Sequence, residues 1–512
     1  LFTGDAYIDH PAFGPAVVGR LLEAEGYRVA IVPQPNWRDD LRDFTKLGAP
    51  RLFFGISAGS MDSMVNHYTA NLRLRHDDAY TPGGKAGFRP DYAVTVYAQI
   101  LKRLYPHVPV VIGGIEASLR RLTHYDYWSD SLKPSVLVES GADLLIYGMG
   151  ERVVQQVARA MRNGYNAKLL RKIRQVAFLA DEAYVSRLDL DRTIRLHGYE
   201  ECLRDKRAFG ENFTVIETQS NLMEPETTLV EATGDRFVVV TPPNTTLTTE
   251  ELDHSFDLPY ERAPHPRYRG KGDIPAWEMI KFSVNIHRGC FGGCSFCTIS
   301  AHQGKFINSR SERSILGEVE RVAAMPGFKG YLSDVGAPSA NMYRMGGRDR
   351  ELCRKCRRPS CLHPARCPNL CNDHRPLLAL YDETLKRYYY PQHAEYERGR
   401  YRLEYSNGSV ATVRIEEKPR YIKLTLEALD NRDAIGSVQW GNFYTNIDNL
   451  VGEIIGVARD TSAAVNYAIG VLALDDNTIG GEAHYTSDTG WGGYIVHTPD
   501  AESHPLPLTL HE

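Results

Sequence analysis

Along residues 1–150, short apolar runs alternate with longer amphipathic ones. YRVAIVP (27–33), RLFFGIS (51–57), VPVVIGG (108–114) and ADLLIYG (142–148) are rich in β-branched or aromatic residues and bounded by turn formers, the pattern of strands. Between and after them, PAVVGRLLEAEG (15–26), AVTVYAQILKRLY (93–105) and RVVQQVARAMRNG (152–164) read as helices, with Gly26 and Gly164 as C-terminal stops. Strands separated by helices predict a doubly wound parallel sheet over residues 1–165. Ligands of such sheets bind beyond the carboxyl ends of the strands, where Gly113, Gly114 and the Gly148–Glu151 turn fall.

The pattern then changes twice. Residues 166–280 are dominated by polar connecting stretches around one strand pattern, RFVVVTPP (236–243), and are expected to link two domains. SERSILGEVERVAAM (311–325) predicts a helix leading to a strand over FKGYLSD (328–334), one βα unit and a second strand within a domain at 281–382. From 395 to 512 the period is two. RYRLEYSNGSVATVRIEE (400–417) has an Asn407-Gly408 hairpin turn, and 420–429, 451–460, 466–474 and 492–498 continue the pattern, which predicts a β-sandwich-like domain. The tyrosine-rich stretch 385–400 reads as the connector. Trp440 and Tyr444 have the chemistry to stack on a sugar, although core packing explains them better.

Composition adds limits. No stretch approaches the ~18 consecutive apolar residues of a membrane helix, and LFTGDAYIDH shows no signal-peptide pattern. Lacking an initial Met, the chain is expected to begin upstream. A net charge of −4 gives no global pull on nucleic acid or acidic membrane. Eight of the nine cysteines lie between 290 and 371, which suits metal binding in a reducing, cytoplasmic compartment better than a disulfide framework.

The densest chemistry is RGCFGGCSFCTIS, with Cys290, Cys294 and Cys297. Three thiolates this close can close on one metal centre but cannot pair off evenly as disulfides. An ordinary [4Fe–4S] cube takes four cysteines; three leave one iron open to another ligand. Gly292 and Gly293 let the backbone fold sharply around such a cluster, and Phe296 is placed to shield one of its faces.

This spacing, with an aromatic before the third Cys, is the motif of the radical SAM superfamily. The flank IPAWEMIKFSVNIHRGCFGGCSFCTISAHQGKFINSRSERSI (274–315) resembles the YgiQ family within it. The resemblance runs from about residue 2 to about 380 and includes GDAYIDHPAFG (4–14), GGIEASLRR (113–121) and SDVGAPSANMYRM (333–345). It implies that Cys290, Cys294 and Cys297 hold a [4Fe–4S] cluster whose open iron takes S-adenosylmethionine (SAM). One electron, from a donor such as flavodoxin or ferredoxin, would then cleave SAM to a 5′-deoxyadenosyl radical that abstracts hydrogen from a substrate. The glycine-rich segment that contacts the methionine amino group in such proteins corresponds to Val335-Gly336-Ala337-Pro338, in which Ala337 replaces a usual glycine. Residues 1–165 resemble the cobalamin-binding-like domain that precedes many radical SAM barrels. Its Asp-x-His-x-x-Gly motif is not kept, because Asp9 and His10 are adjacent and Gly14 lies four further on.

A second set, Cys353, Cys356, Cys361, Cys367 and Cys371, suits an auxiliary cluster or zinc; free thiols in a loop are the alternative. Between 344 and 375, nine Lys or Arg face three acids, a balance that permits an RNA partner or simply offsets thiolates. The resemblance stops near Asp382, so the (βα) barrel is expected to be partial, truncated and joined to an unrelated β-rich region. Three readings follow: a radical SAM enzyme, a metal-stabilised RNA-binding protein, or an inactive fusion with a carbohydrate-type sandwich.

Overall fold

The computed structural model describes residues 1–164, 167–337, 341–385, 388–389, 391–405, 407–431, 435, 437–439, 457–459, 468–470 and 509–511. The chain divides into two units, Leu1–Leu380 and Tyr381–Glu512.

The first unit is built on a nine-stranded sheet. Its strands are β1 (Phe2–Thr3), β2 (Val32–Pro33), β3 (Phe54–Ser57), β4 (Val110–Gly113), β5 (Leu144–Ile146), β6 (Val176–Ala180), β7 (Thr193–Arg195), β8 (Thr228–Thr233) and β9 (Arg236–Val240). Their spatial order is β7-β8-β9-β6-β5-β4-β3-β1-β2. The first five pair in parallel. Side chains alternate between two cores, as strands with both faces covered require. Val110, Ile112 and Leu145 join one, and Val111, Leu144 and Ile146 the other. The predicted helices are present as α1 (Gly14–Ala24), α2 (Ala93–Leu104) and α3 (Glu151–Arg162). Val94, Tyr97, Ala98 and Leu101 form the buried stripe of α2. The last turn of α3 carries Arg159 and Arg162, favourable at a helix C-terminus.

The segment 166–280, read above as a link, supplies four of the nine strands. β6, β8 and β9 extend the sheet with antiparallel pairing, and β7 runs parallel to β8. Apolar runs such as VAFLA at 176–180 are short enough to be hidden among polar loops in the sequence, yet they are fully paired here.

Where the strand order reverses, between β1 and β3, an open α/β sheet ordinarily leaves a ligand crevice. Here the chain fills it. Arg89 pairs with Asp5 at 2.8 Å and Asp78 at 3.1 Å and donates to the Ala58 carbonyl at 3.0 Å, and all three charged residues are buried. Gly59 has φ +116°, and a Cβ there would lie 2.1 Å from Asp5 Oδ1. His10 is buried as well, its Nδ1 accepting from Ala12 N at 3.1 Å, and Asp9 is ion-paired with Arg20.

One buried acid on this sheet makes stability pH-dependent. Glu231 on β8 is fully buried and accepts from Thr123 N at 2.8 Å. Burial pushes its carboxyl from 4.5 up to about 7. Between those values the folded chain holds a proton at Glu231 that the unfolded chain has released, so the Glu231 contribution to stability falls as pH rises from 4.5 to about 7 and is flat above. The full drop is about 3 kcal/mol. In urea melts from pH 4.5 to 8, wild type should lose about this much stability relative to Glu231→Gln; the comparison isolates Glu231 because the buried His124 and His302 rings, drawn down to about 4, contribute with the opposite sign in both proteins.

After the sheet come β10 (Ser283–Asn285), β11 (His287–Arg288), β12 (Asn308–Ser309) and β13 (Asp334–Gly336). β10 and β13 pair in parallel, with helix α4 (Glu312–Ala323) between them in sequence. The strand predicted over 328–334 forms later, from Asp334. Gly327 and Gly330 have φ +84° and +82°, outside the extended range, and delay it.

In the second unit, β14 (Pro391–Glu397), β15 (Arg400–Tyr405), β16 (Val410–Lys418) and β17 (Tyr421–Leu429) form an antiparallel meander. Leu403, Tyr405, Ala411 and Val413 make its buried face. The stretch 385–400, expected to be connector, contains β14. Farther along, Val457–Arg459 pairs with Ala468–Gly470; Trp440, Tyr444 and the strand expected at 492–498 lie outside the described residues.

Candidate metal centre

The three cysteines sit on a loop closed at its base. β11 and β12 pair antiparallel, His287 opposite Ser309 and Arg288 opposite Asn308, so residues 289–307 project as one finger. Inside it, Cys290 N donates to Gly304 O and Cys297 N to Cys294 O, both at 3.1 Å. All three thiols are free; Cys290 and Cys297 are half-buried and Cys294 is exposed. Phe291 is buried against Met342, Met345 and Leu370, which anchors the finger. Phe296 projects into solvent, 89% exposed.

The thiols lie within one another's electrostatic reach. Burial pushes the Cys290 thiol up, and the neighbouring Cys297 and Cys294 push it the same way, against the Gly292 backbone. A Cβ on Gly292 would stand 3.4 Å from Cys290 Sγ and 3.6 Å from Cys294 Sγ, so the missing side chain leaves room beside both sulfurs. Among the described residues no three His, Cys, Asp or Glu side chains converge on one ion. The ligands of an iron–sulfur cube bind different irons, so neighbouring thiols fit a cluster without converging.

The strand leading to the finger is held by buried charge. Glu318 on α4 pairs with Arg262 and, at 2.5 Å, with Arg310, all three nearly inaccessible. Arg310 also donates to Asn285 O at 2.7 Å, and Arg262 to Ser283 O at 2.6 Å. This ties both ends of β10 to α4.

Gly336, expected to contact SAM, ends β13 opposite Asn285 and accepts from Ile286 N at 2.7 Å. A Cβ there would lie 2.7 Å from Asn341 Oδ1 and 2.8 Å from Asp334 Oδ1, so its surroundings are rich in oxygen. Burial pushes the Asp334 carboxyl up. Ala337 follows directly, and Pro338 lies outside the described residues.

The second cysteine set folds over the first. Gly346–Gly347 pairs with Leu370–Cys371, closing the Cys-rich segment. Ser360 is buried and donates to Gly292 O at 2.6 Å, while Cys361 N donates to Phe291 O at 3.0 Å. Gly293 permits the contact: its φ is +63°, and a Cβ would sit 2.8 Å from Ser360 Cβ. Cys353, Cys356, Cys361 and Cys367 are mutual neighbours. Burial pushes the Cys361 thiol up, Lys305 draws it down, and the other three raise it. The buried Lys305 ammonium lies 3.8 Å from Cys356 Sγ. Neither Ser360 nor Lys305 was singled out in the sequence; both lie outside the motif that drew attention.

A wound α/β sheet leading into a three-thiol finger is the arrangement of a radical SAM-type protein. The chain belongs to that group: the family described as Radical SAM N-terminal matches residues 1–283. It is a YgiQ-type member. It is 62% identical over 380 residues to a UPF0313 protein of Porphyromonas gingivalis, covering 74% of this chain and 60% of the relative. A UPF0313 protein of Bacteroides thetaiotaomicron is 60% identical over 392 residues, covering 74% and 63%. UPF0313 protein YgiQ of Salmonella typhimurium is 42% identical over 475 residues, covering 83% and 64%. The chain thus spans about three fifths of the length of these relatives. Among solved structures it is similar to TsrM, a radical S-adenosylmethionine methyltransferase from Kitasatospora setae. That likeness has a TM-score of 0.35 and 16% identity, covering 63% of this chain and 45% of TsrM.

Proposed function

We propose that this chain holds a [4Fe–4S] cluster on Cys290, Cys294 and Cys297, binds SAM at the open iron, and uses it to abstract hydrogen from a substrate. The observation that supports this most is the finger itself: three free thiols on one closed loop, two of them beside the space left by Gly292. When bound, the cluster supplies one electron for reductive cleavage of SAM. The chain's own residues then position. Gly336, with Asp334 and Asn341 beside it, offers acceptor oxygens to the methionine ammonium. The network around Glu318 fixes the strand that carries the finger.

In the same reading, β10, α4 and β13 open a partial (βα) barrel, and the C-terminal meander is one face of a sandwich. A flavodoxin- or ferredoxin-like donor reduces the cluster in the cytoplasm. Among the described residues no helix is long and apolar enough to cross a membrane. Cys353, Cys356, Cys361 and Cys367 form a second thiolate centre, which as placed suits an auxiliary cluster, whose ligands bind different irons, better than a single zinc, with Lys305 offsetting its negative charge; Cys371 stands on the strand that closes the segment.

The direct test is spectroscopic. Anaerobically reconstituted, reduced protein should give an electron paramagnetic resonance signal of a reduced cluster that changes shape when SAM is added. A signal indifferent to saturating SAM would remove the open-iron assignment.

A further inference from the structure

Beside the cysteine finger lies a crevice open to solvent, beyond the carboxyl end of β5. Its walls come from the turn after β5 (Tyr147–Met149), from Asn244–Leu247, and from Ala301–Phe306, the stretch that follows the third cysteine. Gly148, at φ +65°, lets the two sides meet: a Cβ there would be 3.2 Å from His302 O. The crevice and the finger therefore share a wall.

The lining has a consistent polarity. It includes Arg121, Arg152, Arg288 and Lys305 and no Asp or Glu. Arg152 is paired with Glu251, and Lys305 donates to Arg358 O at 2.6 Å. Arg121 and Arg288 form no ion pair among the described residues. Arg121 donates to Ser118 O at 2.6 Å and stacks at 4.9 Å on Tyr147. Arg288 lies 5.2 Å over Phe256, with the charge of Glu151 reaching it from outside the lining.

Four lining atoms are buried without a hydrogen-bond partner: Arg121 Nε, Asn244 Nδ2, Arg288 Nε and His302 Nδ1. All are nitrogens. Burial draws the His302 ring down to about 4, so at neutral pH it is uncharged. Arginine N–H groups and an amide donor, left without acceptors beside a crevice free of lining carboxylates, call for an oxygen-bearing anion.

We propose that this crevice binds a phosphate or carboxylate group of the substrate and so presents an oxyanionic substrate to the cysteine finger. That role in turnover rests on the radical SAM reading; the binding itself does not. Structural arginines capped by stacking and water are the competing explanation. It accounts for each arginine singly but not for four unpartnered nitrogens on residues that line one crevice.

The test uses the full chain without SAM or reductant, so failure of the cluster chemistry leaves it intact. Calorimetric titrations at low salt would use inorganic pyrophosphate, tricarballylate and neutral ribose. Pyrophosphate or tricarballylate should bind saturably at one site, ribose should not, and the tighter of the two anions identifies the group recognised. Arg121→Gln and Arg288→Gln should each weaken binding at least tenfold, and exposed Arg38→Gln should leave it unchanged. Because a buried arginine variant risks misfolding, Asn244→Asp provides the second arm: it keeps both arginines, adds a carboxylate to the crevice, and should also weaken binding at least tenfold. Absence of saturable binding by either anion, or binding unaltered in Asn244→Asp and in a folded Arg121→Gln, would overturn the proposal. Anion binding without SAM cleavage would instead count against the radical SAM reading alone.

Discussion

Replacing Glu318 with Ala is expected to destabilise the first unit by about 3–5 kcal/mol, the usual result when one partner of a buried ionic group is removed. Glu318 is 2% exposed and accepts from two arginines, Arg262 and Arg310, that are buried as well. Without the carboxylate, both guanidinium charges remain in a site that water barely reaches. Glu318→Gln keeps the shape and one carbonyl acceptor, so it should lose less. The readout is the urea midpoint of the unfolding transition, followed by near-ultraviolet circular dichroism. A change below about 1 kcal/mol in the Ala variant would mean that β10 is held by its apolar contacts and not by this network.

The second large effect concerns metal content. Changing Cys290, Cys294 and Cys297 together to Ala is expected to remove about four irons per chain after anaerobic reconstitution, together with the broad absorption near ~400 nm. The three side chains contribute little to the buried core, since Cys294 is exposed and the other two are half-buried, so the variant should stay folded. If Cys353, Cys356, Cys361 and Cys367 form their own centre, the same variant will still bind zinc or iron stoichiometrically and protect those thiols from a thiol reagent. Full iron retention in the triple variant, with the second set also changed to Ala, would sink the assignment of the finger.

How much of this was legible in the chain depended on period and length. VPVVIGG and ADLLIYG announce buried parallel strands because their apolar runs are continuous, and β4 and β5 form there. The two-residue β1, one strand in from the edge of the sheet, has no such run, since Phe2 and Thr3 are held by strands on both sides. Within 166–280, RFVVVTPP marks β9, whereas β6, β7 and β8 are hidden for a similar reason. Glu231 sits in the middle of β8, and a carboxyl at that position reads as a loop until its burial and its Thr123 partner are seen. Asn407-Gly408 correctly marked a hairpin because the turn chemistry is local.

The site divides in the same way. Three cysteines at close spacing are a local signal, and the finger is local. Ser360 over Gly292, Lys305 among the second thiols, and the crevice joining Arg121, Asn244, Arg288 and His302 bring together residues tens to hundreds of positions apart. No periodicity carries that information. Gly148 lies beyond a strand end, where such sheets bind ligands, and it does line the crevice; Gly113 and Gly114, which share that expectation, are not among its walls.

The cysteine finger is expected to cleave SAM reductively. The most direct measurement is the yield of 5′-deoxyadenosine when anaerobically reconstituted protein, its iron and sulfide counted beforehand, is incubated with SAM and dithionite. Wild type should produce 5′-deoxyadenosine and methionine in equal amounts, and the Cys290, Cys294 and Cys297 triple Ala variant should produce none. A fully loaded wild type that yields no 5′-deoxyadenosine, or a triple variant that yields as much as wild type, would contradict that expectation.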